Sequence, residues 1–580
     1  MLRLYSKILR KQPNRLVQHP FMFFSSNKEA IDIMAQLEDK MVLDGSGSIR
    51  EDPYVYKMKD SVVYIKNLKE NAKFLSLLKI NTSSALCISI EKLSVTALIL
   101  NNLRKVKNNN SVEVHPDGDI KIPLQNLGNV IDFSGECLFD EAIPSSNVPE
   151  THWENDTVDV IKGLQKAPYR RKIVSKQIYT GHMRIDLNQP MVENNFILLK
   201  GPYNSGKHLV VQDMIKYFLQ DDQEGNRRVV YVTPNIKTAK DLHQNVLDDD
   251  ERAKWTVLTP RQLTSGNAEL YLMPRSALVI AQKLRKEKWN VLFVFDKIVE
   301  YNINERQIFN NANQPFSPTN IFNEIMENSG DFGPNDGVMT SVCVMDIDTM
   351  NIEHSKQIDN LRTHLESITD QIIDFDPTLR TMRSSLPKLD LVRFSSTNID
   401  YWQKPFVASV RKELEDLAKL LKDSHKSNTS KKELGIQEDP WENYLFYDSQ
   451  FILPLINHKE PLSIVEQILV FKFIHRTVTN EPIHNSEWNE WISEFKAQPK
   501  TLIQNLLAHA NEYQFKNDKT ILDIISSHLS KNQYDDGVLL QNEMDGIKDQ
   551  VDEFLRSFYT STESKGGLRA HKLDYWKNVV

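Results

Sequence analysis

The sequence predicts a multidomain α/β protein with three structured units: a small N-terminal β-barrel, a central domain on a mostly parallel sheet, and a C-terminal α-helical bundle. Three observations predict it. Short β-rich runs crowd the stretch from Val55 to Leu100, as the strands of a small barrel do. Apolar runs alternate with helical stripes from Phe196 to Phe375, the pattern of a parallel sheet covered on both faces. From Tyr401 onward the apolar residues keep only helical spacing,. A chain of 580 residues is also too long for one core, which implies about three or four domains.

The first unit, 1–28, contains no Asp or Glu. Arg3, Lys7 and Arg10 share one helical face; Leu2, Tyr5, Ile8 and Leu9 share another. A basic, amphipathic, acid-free start is the pattern of a mitochondrial transit peptide, the other reading being a basic tail. Residues 29–50 follow as a short amphipathic helix (Ile31, Ile33, Met34, Leu37, Met41) and a linker. The barrel is placed at 51–126. Its strands are carried by Val55 and Met58, Val62 to Ile65, Phe74-Leu75, Ala85 to Ile90 and Val95 to Leu100, with Lys105 to Gly118 as a polar surface loop.

The central α/β domain is placed at 127–399. Lys121 to Ile131 leads into it, and Lys172 to Asp186 leads into its first long strand, Phe196 to Leu199. Arg228 to Thr233, Val257-Leu258, Val342 to Ile347 and Ile368 to Phe375 supply further strands, and Asn290 to Asp296 is the clearest: five apolar residues closed by an acid. Pro274 to Arg285 reads as a helix with its proline in the first turn, where proline is tolerated. The helical domain is placed at 400–560. Its apolar stripes run over Pro461 to Val478, Lys500 to Tyr513, Ile521 to Leu529 and Leu539 to Phe558, and a polar tail fills 561–580.

The candidate site is the loop after Phe196 to Leu199. Gly201 and Gly206 bracket four residues, Lys207 follows, and a helical pattern opens at Leu209. Strand, glycine loop and helix in that order suit a phosphate: the glycines let the backbone wrap an anion, and lysine adds a mobile positive charge. The candidate residues are Gly201, Asn204, Ser205, Gly206, Lys207, His208 and the strand-closing Asp296. The pattern calls for a Ser or Thr hydroxyl on magnesium at position 208, and imidazole is a poor ligand for that hard cation. Pro202 also lacks an N–H. The plainer alternative is a glycine turn with no ligand.

Composition narrows the classes further. The net charge of −7 gives no general attraction for nucleic acid or an anionic membrane surface,. No apolar run approaches bilayer-spanning length. Cys87, Cys137 and Cys343 lack metal-ligand spacing and give no disulfide framework,. The scarcity of glycine, 19 residues against a usual roughly 7%, favours a structural protein over one that handles a nucleotide catalytically.

With these residues in this order, the chain resembles the alpha subunit of an F-type ATP synthase nearly end to end. Leu127-Gly-Asn-Val-Ile-Asp132, Tyr179-Thr-Gly-His-Met-Arg-Ile-Asp186, Val291 to Asp296, Asp370-Gln-Ile-Ile373 and Pro461-Leu-Ser-Ile-Val-Glu-Gln467 are similar to stretches of that family in the same order. The resemblance implies a P-loop NTPase-like (RecA-like) central domain and a place on the matrix side of the mitochondrial inner membrane. It implies other ATP synthase subunits as partners, alpha- or beta-type chains and stalk subunits, with membrane association only through the complex.

The departures lie in the charge-handling positions. His208 replaces the family's threonine and Lys297 a second acid. Ile236 falls near the residue that aligns water in catalytic relatives, and Arg393 fits the family's arginine finger only across a small gap. Phosphoryl transfer depends on positioned charges. The expected state is therefore a degenerate paralogue with no catalytic residue and no metal ligand, holding ATP or ADP weakly or not at all and without magnesium. The alternatives are a genuine but highly diverged alpha subunit, an assembly factor and, last, a standalone ATPase.

Overall fold

The computed structural model describes residues 52–139, 156–160, 177–261, 267–315, 320–347, 352–375, 461–479, 499–530 and 549–558, apart from short gaps within those spans. The leader at 1–28, the helix at 29–50, Asn204, Arg393 and the tail at 561–580 lie outside the described residues.

Six strands form the N-terminal sheet: β1 (Tyr54–Lys59), β2 (Val62–Lys66), β3 (Leu77–Ile80), β4 (Ser83–Ile90), β5 (Ser94–Ile99) and β6 (Val112–Val114). They pair antiparallel in the order β1-β2-β5-β4-β3-β6. The sheet curls until its two outer strands meet: Val55 N donates to Asn110 O at 3.0 Å, and Asn109 N donates back to Val55 O at 2.7 Å. Successive side chains on a strand point to opposite faces, and here both faces carry buried side chains, while Lys57, Met58, Lys59 and Lys79 stay exposed. Val63, Ile65, Leu78, Ala85, Cys87, Ala97 and Ile99 fill the inside of the curl. Val62, Tyr64, Leu86, Ile88 and Leu98 join the large core shared with the central domain. The stretch from Lys105 to Gly118 is therefore more than a loop. β6 lies within it and pairs with β3 through Leu78 and Val114, because Val112 has a place in the inner core.

Short strands lead on: β7 (Lys121–Pro123), β8 (Val130–Ile131), β9 (Thr157–Asp159), β10 (Gln177–Ile178) and β11 (Met191–Val192). The central sheet adds β12 (Phe196–Gly201), β13 (Arg227–Val232), β14 (Trp255–Leu258), β15 (Asn290–Phe295), β16 (Gly330–Asp331), β17 (Val338–Asp346) and β18 (Gln371–Asp374). Its order is β18-β12-β17-β15-β13-β14-β8, with β16 alongside β17. Every pairing except β16 with β17 is parallel. Strands buried on both faces read as unbroken apolar runs, which is why this region is legible in the sequence.

Helices cover both faces. On one lie α1 (Lys207–Gln220) and α2 (Ile236–Asn245), packed on Ile197, Leu199, Tyr231, Trp255, Leu292 and Val344. On the other lie α3 (Asn267–Lys286), α4 (Ile298–Asn311), α5 (Asn320–Asn328) and α6 (Ile352–Ile368), packed on Phe196, Leu198, Val230, Phe293 and Phe295. Helix α3 begins two turns earlier than expected, so Pro274 sits inside it. The buried side chains of Ala268, Tyr271 and Leu272 carry the apolar stripe back past the proline, and their packing outweighs the backbone bond it removes. Arg275 Nη1 donates to Tyr271 O at 2.9 Å, satisfying a carbonyl beside the break.

The C-terminal unit contains α7 (Ile464–Thr479), α8 (Pro499–Glu512), α9 (Ile521–Ser530) and helical residues from 549. Phe471, Phe473, Leu506, Ile525, Phe554 and Phe558 form its core together with Met183 and Leu187 from the central domain.

Candidate functional site

The sheet's topology brings the candidate residues to one edge. β12, β15 and β17 lie side by side, and the parallel register sets Gly201 opposite Asp346 and Phe295 opposite Cys343. Asp296 therefore follows β15 on the same edge where the glycine loop leaves β12. This is the carboxyl edge of an open parallel sheet, where ligands of such folds bind.

The loop needs its glycines for separate reasons. A Cβ on Gly201 would lie 2.5 Å from Phe375 Cβ, because β18 runs alongside. Gly206 has φ +87°, in the region that glycine enters without penalty. Gly201→Ala is expected to lower stability by about 1–3 kcal/mol through overpacking, measured by urea denaturation of the full chain; an unchanged midpoint would show that Phe375 yields freely.

Lys207 opens α1 and is almost wholly buried. Its ammonium donates to Gly201 O at 2.9 Å, Pro202 O at 2.5 Å and Ser205 Oγ at 3.1 Å, and pairs with Asp346 at 2.9 Å. The lysine is thus folded into its own loop, and an incoming phosphate must compete with these oxygens for it. Asp346 is a site residue that the sequence reading did not single out. It carried the signal already used for Asp296, an apolar strand closed by an acid.

His208 Nδ1 lies 3.3 Å from Asp296 Oδ1. The separation suits an ion pair, yet neither atom has a hydrogen-bond partner. Asp296 is fully buried, and its other oxygen accepts from Tyr231 Oη at 3.1 Å and Thr233 Oγ1 at 3.4 Å. Burial drives its pKa up, opposed by the nearby His208 and Lys297 and by the Tyr231 hydrogen bond, while Asp346 adds to the rise. Burial also raises Glu300 on α4, again opposed by Lys297. Lys297 itself has φ +51° and lies 3.9 Å from Glu300.

The donor set does not suit magnesium. The position nearest the buried carboxylate offers imidazole where a hard oxygen is needed, and the oxygen of Asp296 that faces the loop faces that ring. Ile236 opens α2, where Asn235 caps the helix by accepting from Lys237 N at 3.0 Å and Thr238 N at 3.3 Å,. An apolar side chain there can neither orient nor deprotonate water.

A carboxyl whose pKa is raised by folding binds a proton more readily folded than unfolded. Its contribution is complete below the unfolded pKa and is lost as pH rises through the folded one. Asp296→Asn keeps an acceptor for Tyr231 and removes the buried charge. The variant is expected to lose less stability than the unmodified chain as pH rises above the ordinary carboxylate range, read from denaturation midpoints across a pH series,. Parallel pH profiles would show that Asp296 does not contribute this dependence.

No protein-family model matches the chain. Comparison with curated proteins finds alpha subunits of ATP synthase. The chain is 23% identical over 270 residues to "ATP synthase subunit alpha 2" of Paraburkholderia xenovorans, covering 46% of this chain and 50% of the relative. It is 23% identical over 264 residues to "ATP synthase subunit alpha" of Mycoplasma genitalium, covering 44% and 47%. It is 23% identical over 259 residues to "ATP synthase subunit alpha 1" of Listeria welshimeri, covering 44% and 49%. The chain therefore spans about half the length of the curated relatives it matches. The likeness is real but partial: motifs that read nearly end to end in the sequence are supported over less than half of it. Among the described residues, no helix is long and apolar enough to cross a membrane.

Proposed function

We propose that the chain is a non-catalytic, structural alpha-like subunit of a mitochondrial ATP synthase, with a degenerate nucleotide site. The observation that carries this is the contact between His208 and the buried Asp296, at the place where a hydroxyl and a carboxylate would together hold a metal-bound triphosphate. The scaffold that presents the loop is intact, while the groups that would handle charge on it are replaced or engaged with each other. ATP or ADP is held weakly or not at all, without magnesium. The partners are other alpha- or beta-type chains and stalk subunits, and the complex supplies the only membrane association, on the matrix side of the inner membrane.

The test is affinity purification of the tagged chain from mitochondria, with mass spectrometry of the stoichiometric partners. Recovery of ATP synthase subunits, including a second alpha-type chain with an intact Gly-Lys-Thr, is expected. Recovery with none of them would overturn the proposal. The retained Gly201, Gly206 and Lys207 geometry favours one other reading, a genuine diverged alpha subunit alternating with beta; three copies per hexamer with no intact relative would support it. Isolated chain that hydrolyses ATP, and stops doing so on Lys207→Ala, would contradict both the structural role and the loss of chemistry.

A further inference from the structure

The turn before β11 stitches the central domain to the helical unit, and its key residue is Asp186. This carboxylate is completely buried. It accepts from Thr180 N at 2.9 Å, Thr180 Oγ1 at 2.8 Å and Gly181 N at 2.9 Å. Its remaining partner comes from 281 positions along the chain: Gln467 Nε2 on α7 donates to Asp186 Oδ2 at 2.8 Å. Gln467 is itself fully buried, and the same amide donates to Leu462 O at 2.8 Å.

The residues around Asp186 divide between the two cores. Met183 and Leu187 lie in the core of the helical unit, and Ile185 lies in the core between the sheet and α1. The backbone is joined across the same seam, Leu462 N donating to Gly181 O at 3.0 Å. Gly181 has φ +77°, and a Cβ there would fall on Pro461 and on Tyr217 of α1. The turn also grips α1 directly, through His182 Nε2 and Asp213 Oδ2 at 2.7 Å. Tyr217 is enclosed enough that burial, with Glu466, Asp186 and Asp213 nearby, pushes its hydroxyl up to about 12.

We propose that Asp186 is the pin of a coupling joint through which the C-terminal helical unit and α1, the helix that carries Lys207, are held as one body. One side of the pin is Gln467 on α7. The other is the Thr180 to His182 turn, which holds α1 through Asp213. A displacement of α7 is thereby transmitted to the glycine loop, whether or not that loop holds a ligand, so the joint stands independently of the functional reading. Asp186 and Gln467 act through other residues and are positioning residues.

Hydrogen–deuterium exchange of the full chain tests the joint. Gln467→Met keeps the side chain's length and removes its donor. It is expected to speed exchange about tenfold, the equivalent of roughly one buried hydrogen bond, in the peptide covering 207–220 as well as in 464–479. Ile468→Val thins the helical core without touching the joint and is expected to loosen 464–479 alone. Coupling is reciprocal, so Asp213→Ala, on the other side of the seam, is expected to speed exchange in 464–479. Unchanged exchange of 207–220 in Gln467→Met, equal loosening of 207–220 by Ile468→Val, or unchanged exchange of 464–479 in Asp213→Ala would each overturn the proposal. The Asp213→Ala arm decides the matter alone if Gln467→Met does not fold.

Discussion

His208→Thr is expected to raise magnesium-dependent ATP affinity by about ten- to a hundredfold, or ~1.4–2.8 kcal/mol. Two changes act together. A hydroxyl supplies the hard oxygen that magnesium requires, and removal of the imidazole uncovers Asp296 Oδ1, which lacks a hydrogen-bond partner. Titration calorimetry with ATP, with and without magnesium, separates them: the gain should appear only with the metal. The unmodified chain should show weak or no binding, the same under both conditions. Submicromolar, magnesium-dependent binding by the unmodified chain would show that His208 does not block the site. An unresponsive His208→Thr variant would show that Lys207 and Asp346 keep the loop closed without it.

Lys207→Met is expected to destabilise the protein by about 2–4 kcal/mol, since charge-assisted hydrogen bonds are lost and a partner carboxylate is left without its cation. A lysine kept only for phosphate would leave stability almost unchanged on removal. Lys207 instead ties together Gly201, Pro202, Ser205 and Asp346, so its charge holds the loop's own shape. Methionine keeps the unbranched apolar stem and omits the terminal ammonium, so the effect reports that group. Urea denaturation followed by tryptophan fluorescence measures it, and a loss below ~0.5 kcal/mol, the usual range for a surface substitution, would show that the internal contacts contribute little.

The central sheet was legible because strands buried on both faces leave continuous apolar runs. Phe196 to Leu199, Val229 to Val232 and Val291 to Phe295 stand out from any window around them. What was missed depends on pairing across long separations. β6 is three residues in a polar stretch, recognisable only once Leu78 is known to lie beside Val114. The length of α3 was hidden by Pro274, whose local cost is overridden by burial on both sides. At the site, the loop and Asp296 were readable as a pattern. That Asp346 would reach Lys207 follows from the register of β12 with β17, which no local signal encodes. Asp186 and Gln467 both lie in stretches picked out by family resemblance, and only the fold shows that they touch.

The meeting of β1 with the residues entering β6 has an effect on association. A flat sheet exposes a row of main-chain donors and acceptors on which a foreign strand can dock and template further growth. Here those groups at Val55, Asn109 and Asn110 bond to one another, so in this stretch the N-terminal unit offers no ladder to extend. A chain that met it there would have to do so through side chains, a mode of contact that discriminates between partners and resists runaway polymerisation.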